Sequence, residues 1–491
     1  MKDLLLVRLA AELTIKSNRT RVEFARRLTR NLRDALASAE LEHEIEPAWD
    51  RIYVRADAAR AEPLLARIPG ISSVSFVERA VPADLAAIVA AGEELYRERV
   101  RGKRFAVRAR RNGNHPFGSR DVEVQLGAAL QPCSAGVDLT DPDVTVRIEV
   151  RQDQAYLFSE RTEGVGGLPL GVEGRALALL SGGYDSAVAA WLMLKRGIAL
   201  DYVFCNLGGD AHERAVLQVA KFMADEWSFG TRPRLHVIDF ADPLKALRES
   251  SRQAYWQVVL KRLMYRAAEL VARESGVAAL VTGEAVGQVS SQTLTNLRAI
   301  EAAATLPVLR PLLGYDKGEI IARARVIGTA SLSEQVREYC ALTPGRPVTA
   351  ATVERLDEEE RRLDPAVLET AVAARRTLDL RALQPVDLVA PYLFATDVPE
   401  GAVIIDCRPA AQYRAWHLKG AEHREEWEIL RDFRKLDRDR IYILYCAHGM
   451  QTAYIAEKMQ RAGYEAYSFR GGLRSVIEYA RSKGLSVTLL R

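Results

Sequence analysis

Arg175 to Gly197 constrains what this chain can fold into more than any other stretch. It reads Arg-Ala-Leu-Ala-Leu-Leu-Ser-Gly-Gly-Tyr-Asp-Ser-Ala-Val-Ala-Ala-Trp-Leu-Met-Leu-Lys-Arg-Gly. The apolar run Ala176 to Leu180 predicts a buried parallel strand. Ser181-Gly182-Gly183 turns the chain, and Asp185-Ser186 opens a helix that stops at Gly197. The acidic start and the basic end, Lys195-Arg196, suit the helix dipole. Two glycines let a phosphate approach the backbone, and the helix start supplies free N–H donors. No Gly-Lys-Ser/Thr follows, so the loop differs from the one that cradles phosphate in ordinary NTPases.

A Ser-Gly-Gly-Xaa-Asp-Ser turn between strand and helix resembles the pyrophosphate loop of ATP pyrophosphatases. Those enzymes cleave ATP between its α and β phosphates and adenylate an oxygen. Beyond the loop, strands are expected at Leu200–Leu207, 235–240 and 278–282. They alternate with a helix running through Trp227 and a long helix from Tyr255 to Ser275 that carries Lys261. Such alternation implies a doubly wound parallel sheet with ligand at the carboxyl ends of its strands. Gly283, at one such end, would let backbone approach a nucleotide. Gln288, Ser290, Ser291, Gln292 and Asn296 follow it and offer hydrogen bonds without charge.

At 491 residues the chain has room for three or four domains. With 27% charged and 48% hydrophobic residues it has the balance of a soluble globular protein. No apolar run reaches the ~20 residues of a membrane span. Met1-Lys2-Asp3 and the short run after it read as a strand rather than a signal peptide, so a cytoplasmic location without membrane contact is expected. The cysteines, Cys133, Cys205, Cys340, Cys407 and Cys446, are odd in number and lack Cys-Xaa-Xaa-Cys spacing. A disulfide scaffold and a structural zinc site are therefore disfavoured. The histidines show no metal-ligand spacing either, and any cysteine chemistry should be transient and catalytic.

The net charge is only +4, yet two runs concentrate it. Lys16, Arg19, Arg21, Arg26, Arg27, Arg30 and Arg33 stand against Glu23 alone. Arg97, Arg99, Arg101, Lys103, Arg104, Arg108, Arg110 and Arg111 stand against Glu98 alone. Both lie in the N-terminal third, and together they favour a phosphate-backbone footprint.

From the N-terminus, a strand at 4–9, a polar loop at 12–19, a helix at 21–39 and strands at 44–48 and 51–56 resemble a ferredoxin-like α+β domain, placed at residues 1–57. Residues 58–163 alternate short helices with strands at 73–78 and 103–110, and end in a hairpin of 145–150 with 155–159. This order resembles a THUMP domain, an RNA-binding module of tRNA-modifying enzymes. Residues 164–174, rich in glycine, read as a linker, and the pyrophosphate-loop domain is placed at 175–342. Residues 343–392, with Glu358-Glu359-Glu360-Arg361-Arg362 and little apolar periodicity, read as a charged helical linker.

Residues 393–491 form a further α/β unit. Asp406-Cys407-Arg408-Pro409, Tyr413, His417-Leu418-Lys419-Gly420-Ala421 and Cys446-Ala447-His448-Gly449-Met450-Gln451-Thr452 resemble a rhodanese, a domain that holds sulfane sulfur as a cysteine persulfide. Cys446 lies between a strand and a helix start, where backbone donors and the helix dipole favour a thiolate or persulfide anion. Gln451 stands where rhodaneses usually carry arginine. Arg408 is expected to brace Asp406, and Cys407 to pack.

Leu306-Pro307-Val308-Leu309-Arg310-Pro311-Leu312, Tyr315-Asp316-Lys317 and Glu338-Tyr339-Cys340 complete the pattern. With the domain order, they make the whole chain resemble the tRNA 4-thiouridine synthetases. The resemblance implies that Leu179 and Leu180 contact ATP through backbone, that Lys261 faces its phosphates, and that Gly283 and Gln292 complete the nucleotide site. It implies that Ser181, Gly182, Gly183, Asp185 and Ser186 hold pyrophosphate, with Asp185 ordering the loop or a magnesium ion. Cys446 and Cys340 would be the catalytic cysteine pair. Implied partners are tRNA, a cysteine desulfurase as sulfur donor, a thiol reductant and, through a link to thiazole synthesis, a sulfur-carrier protein. Two other readings remain open on the residues: a tRNA-modifying ATP pyrophosphatase that uses no sulfur, and an RNA-binding sulfur-relay protein.

Overall fold

The computed structural model describes residues 3–207, 209–334, 336, 347–384, 388, 393–447 and 449–484. Among them the chain forms two compact units, residues 1–169 and 170–491.

The first unit holds two five-stranded sheets. One is antiparallel throughout, in the order Thr162–Gly166, Ile71–Val77, Asp3–Leu9, Arg51–Ala56, Glu44–Pro47. The first and second of these strands come from outside residues 1–57, so the expected boundary after residue 57 falls inside a sheet. Ile71–Val77 bonds Asp3–Leu9 directly, and Thr162–Gly166 closes the edge where a linker was expected to begin. The segment 12–19 also departs from a plain loop. Ala11–Thr14 is a short helix, and Ser17 caps the helix Asn18–Ser38 by accepting from the Thr20 amide.

The second sheet runs Arg79–Pro82, Gln154–Phe158, Val144–Arg151, Arg104–Asn112, Gly136–Val137, with its last two junctions parallel. A buried ionic cluster ties the two sheets. Arg8 Nε donates to Glu149 Oε1 at 2.6 Å, Arg51 Nε to Glu149 Oε2 at 3.2 Å, and Arg151 to Asp50 at 2.8 Å. Burial pushes the Glu149 carboxyl pKa up, but the Arg8 and Arg51 charges outweigh it and hold the group below its ordinary value.

The second unit carries a six-stranded sheet in the order Val308–Leu309, Leu280–Val281, Arg175–Leu179, Ala199–Asn206, Arg234–Asp239, Arg376–Asp379. The first five strands are parallel and the sixth is antiparallel. From Arg175–Leu179 the chain winds one way to Arg234–Asp239 and then returns to the other side at Leu280–Val281. That reversal is a topological switch point, where such sheets bind ligands.

The sixth strand corrects the expectation of a linker over 343–392. Arg376–Asp379 pairs with Arg234–Asp239, and Leu356, Leu368 and Val372 enter the same core as Leu177, Val203 and Ile238. The helix Val353–Glu360 is also fastened ionically. Arg262, 1% exposed, donates from Nε to Glu360 Oε1 at 2.6 Å and also bonds Asp357. Sparse leucines sufficed because the charged residues between them meet buried arginines.

The last sheet is parallel, ordered Phe394–Ala395, Glu465–Phe469, Ile441–Tyr445, Val403–Asp406, Glu422–His423. No helix among the described residues is long and apolar enough to cross a membrane.

Candidate functional site

The loop after Arg175–Leu179 is built as its residues predict. Gly182 adopts φ +78°, a conformation in which side chains are strained, and a Cβ there would stand 3.0 Å from Val216 and Val336. Gly183 caps the helix Tyr184–Lys195. Ser186 Oγ folds back to donate to the Gly183 carbonyl at 3.0 Å and to accept from the Ser181 amide at 3.2 Å. The turn is therefore fixed before any ligand arrives.

A cavity of about 590 Å³ opens over this loop at the switch point. Leu179, Leu180, Ser181, Gly183, Asp185, Ser186, Lys261, Gly283 and Gln292 all line it. Of the expected nucleotide residues only Gly182 is not in its wall, and its role is to shape the turn. Gly283 also packs tightly against the loop. A Cβ there would fall 2.6 Å from the Asp185 carbonyl carbon and 2.7 Å from the Ser186 nitrogen. Its missing side chain makes room for the loop backbone itself.

Asp185, expected to act on the phosphates, is held by two donors. Lys317 Nζ lies 2.9 Å from Oδ1 and 3.1 Å from Oδ2, and Gln288 Nε2 donates to Oδ2 at 3.0 Å. Lys317, the first residue of the helix Lys317–Ile327, stands in the sequence only as part of the stretch Tyr315-Asp316-Lys317. Its approach to Asp185 was invisible in the sequence because the contact spans 132 positions.

Other walls are neutral or compensated. Gln292 is buried, and among the described residues its Oε1 has no hydrogen-bond partner, as is true of Oε1 of Gln288. These acceptors fit a ligand that brings donors, such as the amino group and hydroxyls of a nucleoside. Glu284 Oε2 accepts from Arg310 Nε at 2.9 Å, from Thr282 at 3.2 Å and from the Tyr265 hydroxyl. Burial, reinforced by the Glu284 charge, raises the Tyr265 hydroxyl well above its ordinary pKa, so it stays a donor. His212 packs edge-on to Phe204 and lines the same cavity. Burial pushes its pKa down to about 4, against a weaker opposing contact with the Ser181 backbone, so the imidazole is neutral at pH 7.

Among the described residues no cluster of three or more His, Cys, Asp or Glu side chains could cage a metal. A magnesium ion bridging phosphates needs only one or two carboxylates, and Asp185 fits that limited role.

The sulfur-carrying candidate is a separate construction. Cys446, 3% exposed, follows the strand Ile441–Tyr445. The Gly449 amide donates to its Sγ at 3.1 Å, and Thr452 Oγ1 lies 3.6 Å away. Thr452 is fixed in turn by Ser468 at 2.8 Å, and Ser468 donates to the Gly449 carbonyl at 3.0 Å. Gly449 takes φ +81°, and a Cβ would stand 3.2 Å from the Gly472 nitrogen. As expected, Arg408 braces the neighbouring strand end, meeting both oxygens of buried Asp406 and donating to the Trp416 carbonyl at 2.6 Å. Cys407 packs in the core. Burial, with the nearby Cys446, raises its thiol well above the ordinary range. Cys340, the other expected catalytic cysteine, lies outside the described residues.

The basic runs separate on inspection. Arg97, Arg99, Arg101 and Arg104 are matched by Glu93, Glu78, Glu98 and by Asp138 with Asp143. Among the described residues Arg19, Arg26, Arg30 and Arg33 on Asn18–Ser38 have no such carboxylate partner.

Four family models match the chain in order: a ferredoxin-like domain over 4–75, a THUMP domain over 82–160, one described as thiamine biosynthesis protein (ThiI) over 171–364, and a rhodanese-like domain over 394–478. A tRNA sulfurtransferase of Pyrobaculum aerophilum is 40% identical over 94% of this chain and 95% of its own length. Another, from Desulfurococcus amylolyticus, is 38% identical over 95% of this chain and 97% of its own. The crystal structure of a 4-thiouridine synthetase–RNA complex with bound ATP aligns with a TM-score of 0.67 at 30% identity. It covers 77% of this chain and 99% of that one. On the strength of these full-length matches and of a loop, cavity and cysteine built as described, the chain belongs to the tRNA sulfurtransferase family.

Proposed function

We propose that this protein spends ATP to adenylate O4 of a tRNA uridine and replaces that oxygen with sulfur carried on Cys446, giving 4-thiouridine. The observation that carries the reading is the cavity at the switch point, where Ser181, Asp185, Ser186, Lys261, Gly283, Gln292 and Lys317 converge.

In the first step the uridine O4 attacks the α-phosphorus. The bond to the β-phosphate breaks, pyrophosphate leaves, and the N3 proton is lost. The N–H groups at the start of Tyr184–Lys195, with Lys261 and Lys317, would receive the departing charge. Magnesium, if bound beside Asp185, would supply further compensation of phosphate charge. Carbonyl oxygen leaves poorly, whereas AMP leaves well. In the second step the outer sulfur of a Cys446 persulfide attacks C4 and AMP departs. Cys340 then attacks Sγ of Cys446, releasing the thiolated base and leaving a Cys340–Cys446 disulfide. A cellular thiol reductant supplies two electrons to reopen it, and a cysteine desulfurase reloads Cys446. These substrates and partners put the activity in the cytoplasm.

The matching family model's description as a thiamine biosynthesis protein favours a second, compatible role. The Cys446 persulfide would also be passed toward thiazole synthesis through a sulfur-carrier protein. That role does not need the nucleotide cavity and would survive Asp185→Asn.

The test is thiolation of unmodified tRNA by purified protein with desulfurase, cysteine and ATP, read by nucleoside chromatography. Asp185→Asn and Cys446→Ser should each abolish 4-thiouridine. Full turnover by either variant would overturn the proposal.

A further inference from the structure

The walls of the switch-point cavity differ in character. The strand Arg175–Leu179, which launches the loop, lies between Ala199–Asn206 and Leu280–Val281. On the Ala199–Asn206 side the lining is apolar, with Val203, Phe204, Cys205 and Leu207. A flat purine suits that wall. On the Leu280–Val281 side stand Thr282 and Glu284. Three carboxylates line the cavity among the described residues: Asp185, Glu284 and Glu334. Glu334 is exposed, whereas Glu284 is 3% exposed.

The two oxygens of Glu284 are treated unequally. Oε2 takes all three donors, Arg310 Nε, Thr282 Oγ1 and the Tyr265 hydroxyl. Those donors come from three places in the chain, so they fix the carboxylate in one orientation. Arg310 is itself held by Glu301 and lies 3.3 Å from the Tyr265 hydroxyl. Oε1 is buried and has no hydrogen-bond partner among the described residues. A buried carboxylate oxygen left bare in a cavity wall calls for a donor from the ligand.

The proposed reaction has a proton to place, that of uridine N3, and the other bases in the wall are engaged. Asp185 is held by Lys317 and Gln288, the His212 ring leans on the Ser181 backbone, and the Tyr265 hydroxyl keeps its proton. We infer that Glu284 is a catalytic residue whose Oε1 accepts the N3–H of the target uridine and takes that proton as O4 is adenylated. This rests on uridine being the substrate, as proposed above. As the O4–phosphorus bond forms and pyrophosphate leaves, the ring gains positive charge and N3–H becomes acidic. The N3–H electron pair becomes the second bond of N3=C4, and the proton moves to Oε1. When Cys340 later attacks Sγ of Cys446, the base departs as a thiolate, and Glu284 returns the proton to N3. The same oxygen selects the base. Cytidine presents a bare N3 lone pair, which a carboxylate oxygen repels.

The experiment is single-turnover pyrophosphate release by the full-length chain with ATP and unmodified tRNA. Glu284→Gln should slow release by about 10²- to 10⁴-fold. Its equilibrium affinities for ATP and for tRNA should stay within about threefold of the parent. Its residual rate should climb about tenfold per pH unit above neutrality as hydroxide takes over the proton, whereas the parent's should change little. Should Glu284→Gln leave Arg310 too poorly paired to fold, Glu284→Gln/Arg310→Gln removes both charges and should be as slow. Parent-like release would overturn the inference. So would a loss of ATP affinity matching the loss of rate, which would give Glu284 to the nucleotide. A parent-like pH profile at reduced rate would overturn it as well, leaving only a structural role. Absence of tRNA-dependent pyrophosphate release by the parent would instead overturn the proposed function itself.

Discussion

Lys317 closes on Asp185 from 132 residues away, 2.9 Å from one carboxylate oxygen and 3.1 Å from the other. The pair is partly exposed, 42% and 24%, so it adds at most about 1 kcal/mol to stability. Its value lies in holding a cation at the mouth of the loop that can move to phosphate. Lys317→Gln should leave the melting temperature within a few degrees of the parent and lower the rate of pyrophosphate release by about 10²- to 10³-fold. Rapid-quench measurement of pyrophosphate with tRNA saturating checks this.

Gly283→Ala should damage ATP binding without touching a charged group. The added methyl would meet backbone, 2.6 to 2.8 Å from Asp185 and Ser186, and backbone cannot rotate aside. Overpacking of this kind destabilises by about 1 to 3 kcal/mol. The loop should shift, and the stabilisation that ATP gives the parent in a thermal melt should shrink or vanish.

His212 makes stability depend on pH. Its folded pKa is about 4, below the ordinary 6.5, because burial disfavours the charged ring. The unfolded chain therefore binds a proton first as pH falls. The contribution is fully present above pH 6.5 and is lost between 6.5 and 4, with a slope of at most about 1.4 kcal/mol per pH unit. His212→Gln should flatten the denaturation midpoint through that window. An unchanged pH dependence would show that the ring does not titrate as its burial demands.

Cys446 and Cys407 should differ in reactivity despite sharing one core. Burial keeps the Cys407 thiol protonated, whereas Cys446 receives the Gly449 N–H. After desulfurase treatment, intact mass spectrometry should find one extra sulfur on the parent and on Cys407→Ala. Cys446→Ser should carry none.

Glu360 should matter to stability although it lies in a run that looks like a tether. Truncating it leaves Arg262, 1% exposed, short of its main partner, a loss of about 3 to 5 kcal/mol. Arg262→Met together with Glu360→Leu should recover much of that, since both charges go together. Urea unfolding of the singles and the double forms the cycle that separates the two effects.

The sequence made the pyrophosphate loop legible because its information is local. A strand, two glycines, an Asp-Ser cap and a basic helix end sit within one stretch, and each has its own physical meaning. The Cys446 loop was readable for the same reason. What escaped was non-local. The Lys317–Asp185 contact depends on a fold that no spacing encodes. Ile71–Val77 pairs with the first strand of the chain, across the boundary that the order of elements suggested. Arg376–Asp379 was missed because an edge strand of Arg-Thr-Leu-Asp with only Leu378 half-buried has no alternation to read. The carboxylate partners of Arg97, Arg99, Arg101 and Arg104, up to 39 positions away, set that run apart from the one on Asn18–Ser38 only in the fold.

The pairing of Arg376–Asp379 with Arg234–Asp239 has a consequence for the chain that joins this sheet to the rhodanese-like domain. It shortens the leash. The stretch leading to the strand Phe394–Ala395 begins after residue 379 rather than at 343, and Leu388 within it is buried, with its carbonyl accepting from Gln218 at 3.4 Å. Even fully stretched, residues 380–393 reach about 50 Å. The rhodanese-like domain is therefore held within that reach of the edge strand of the sheet that carries the nucleotide cavity.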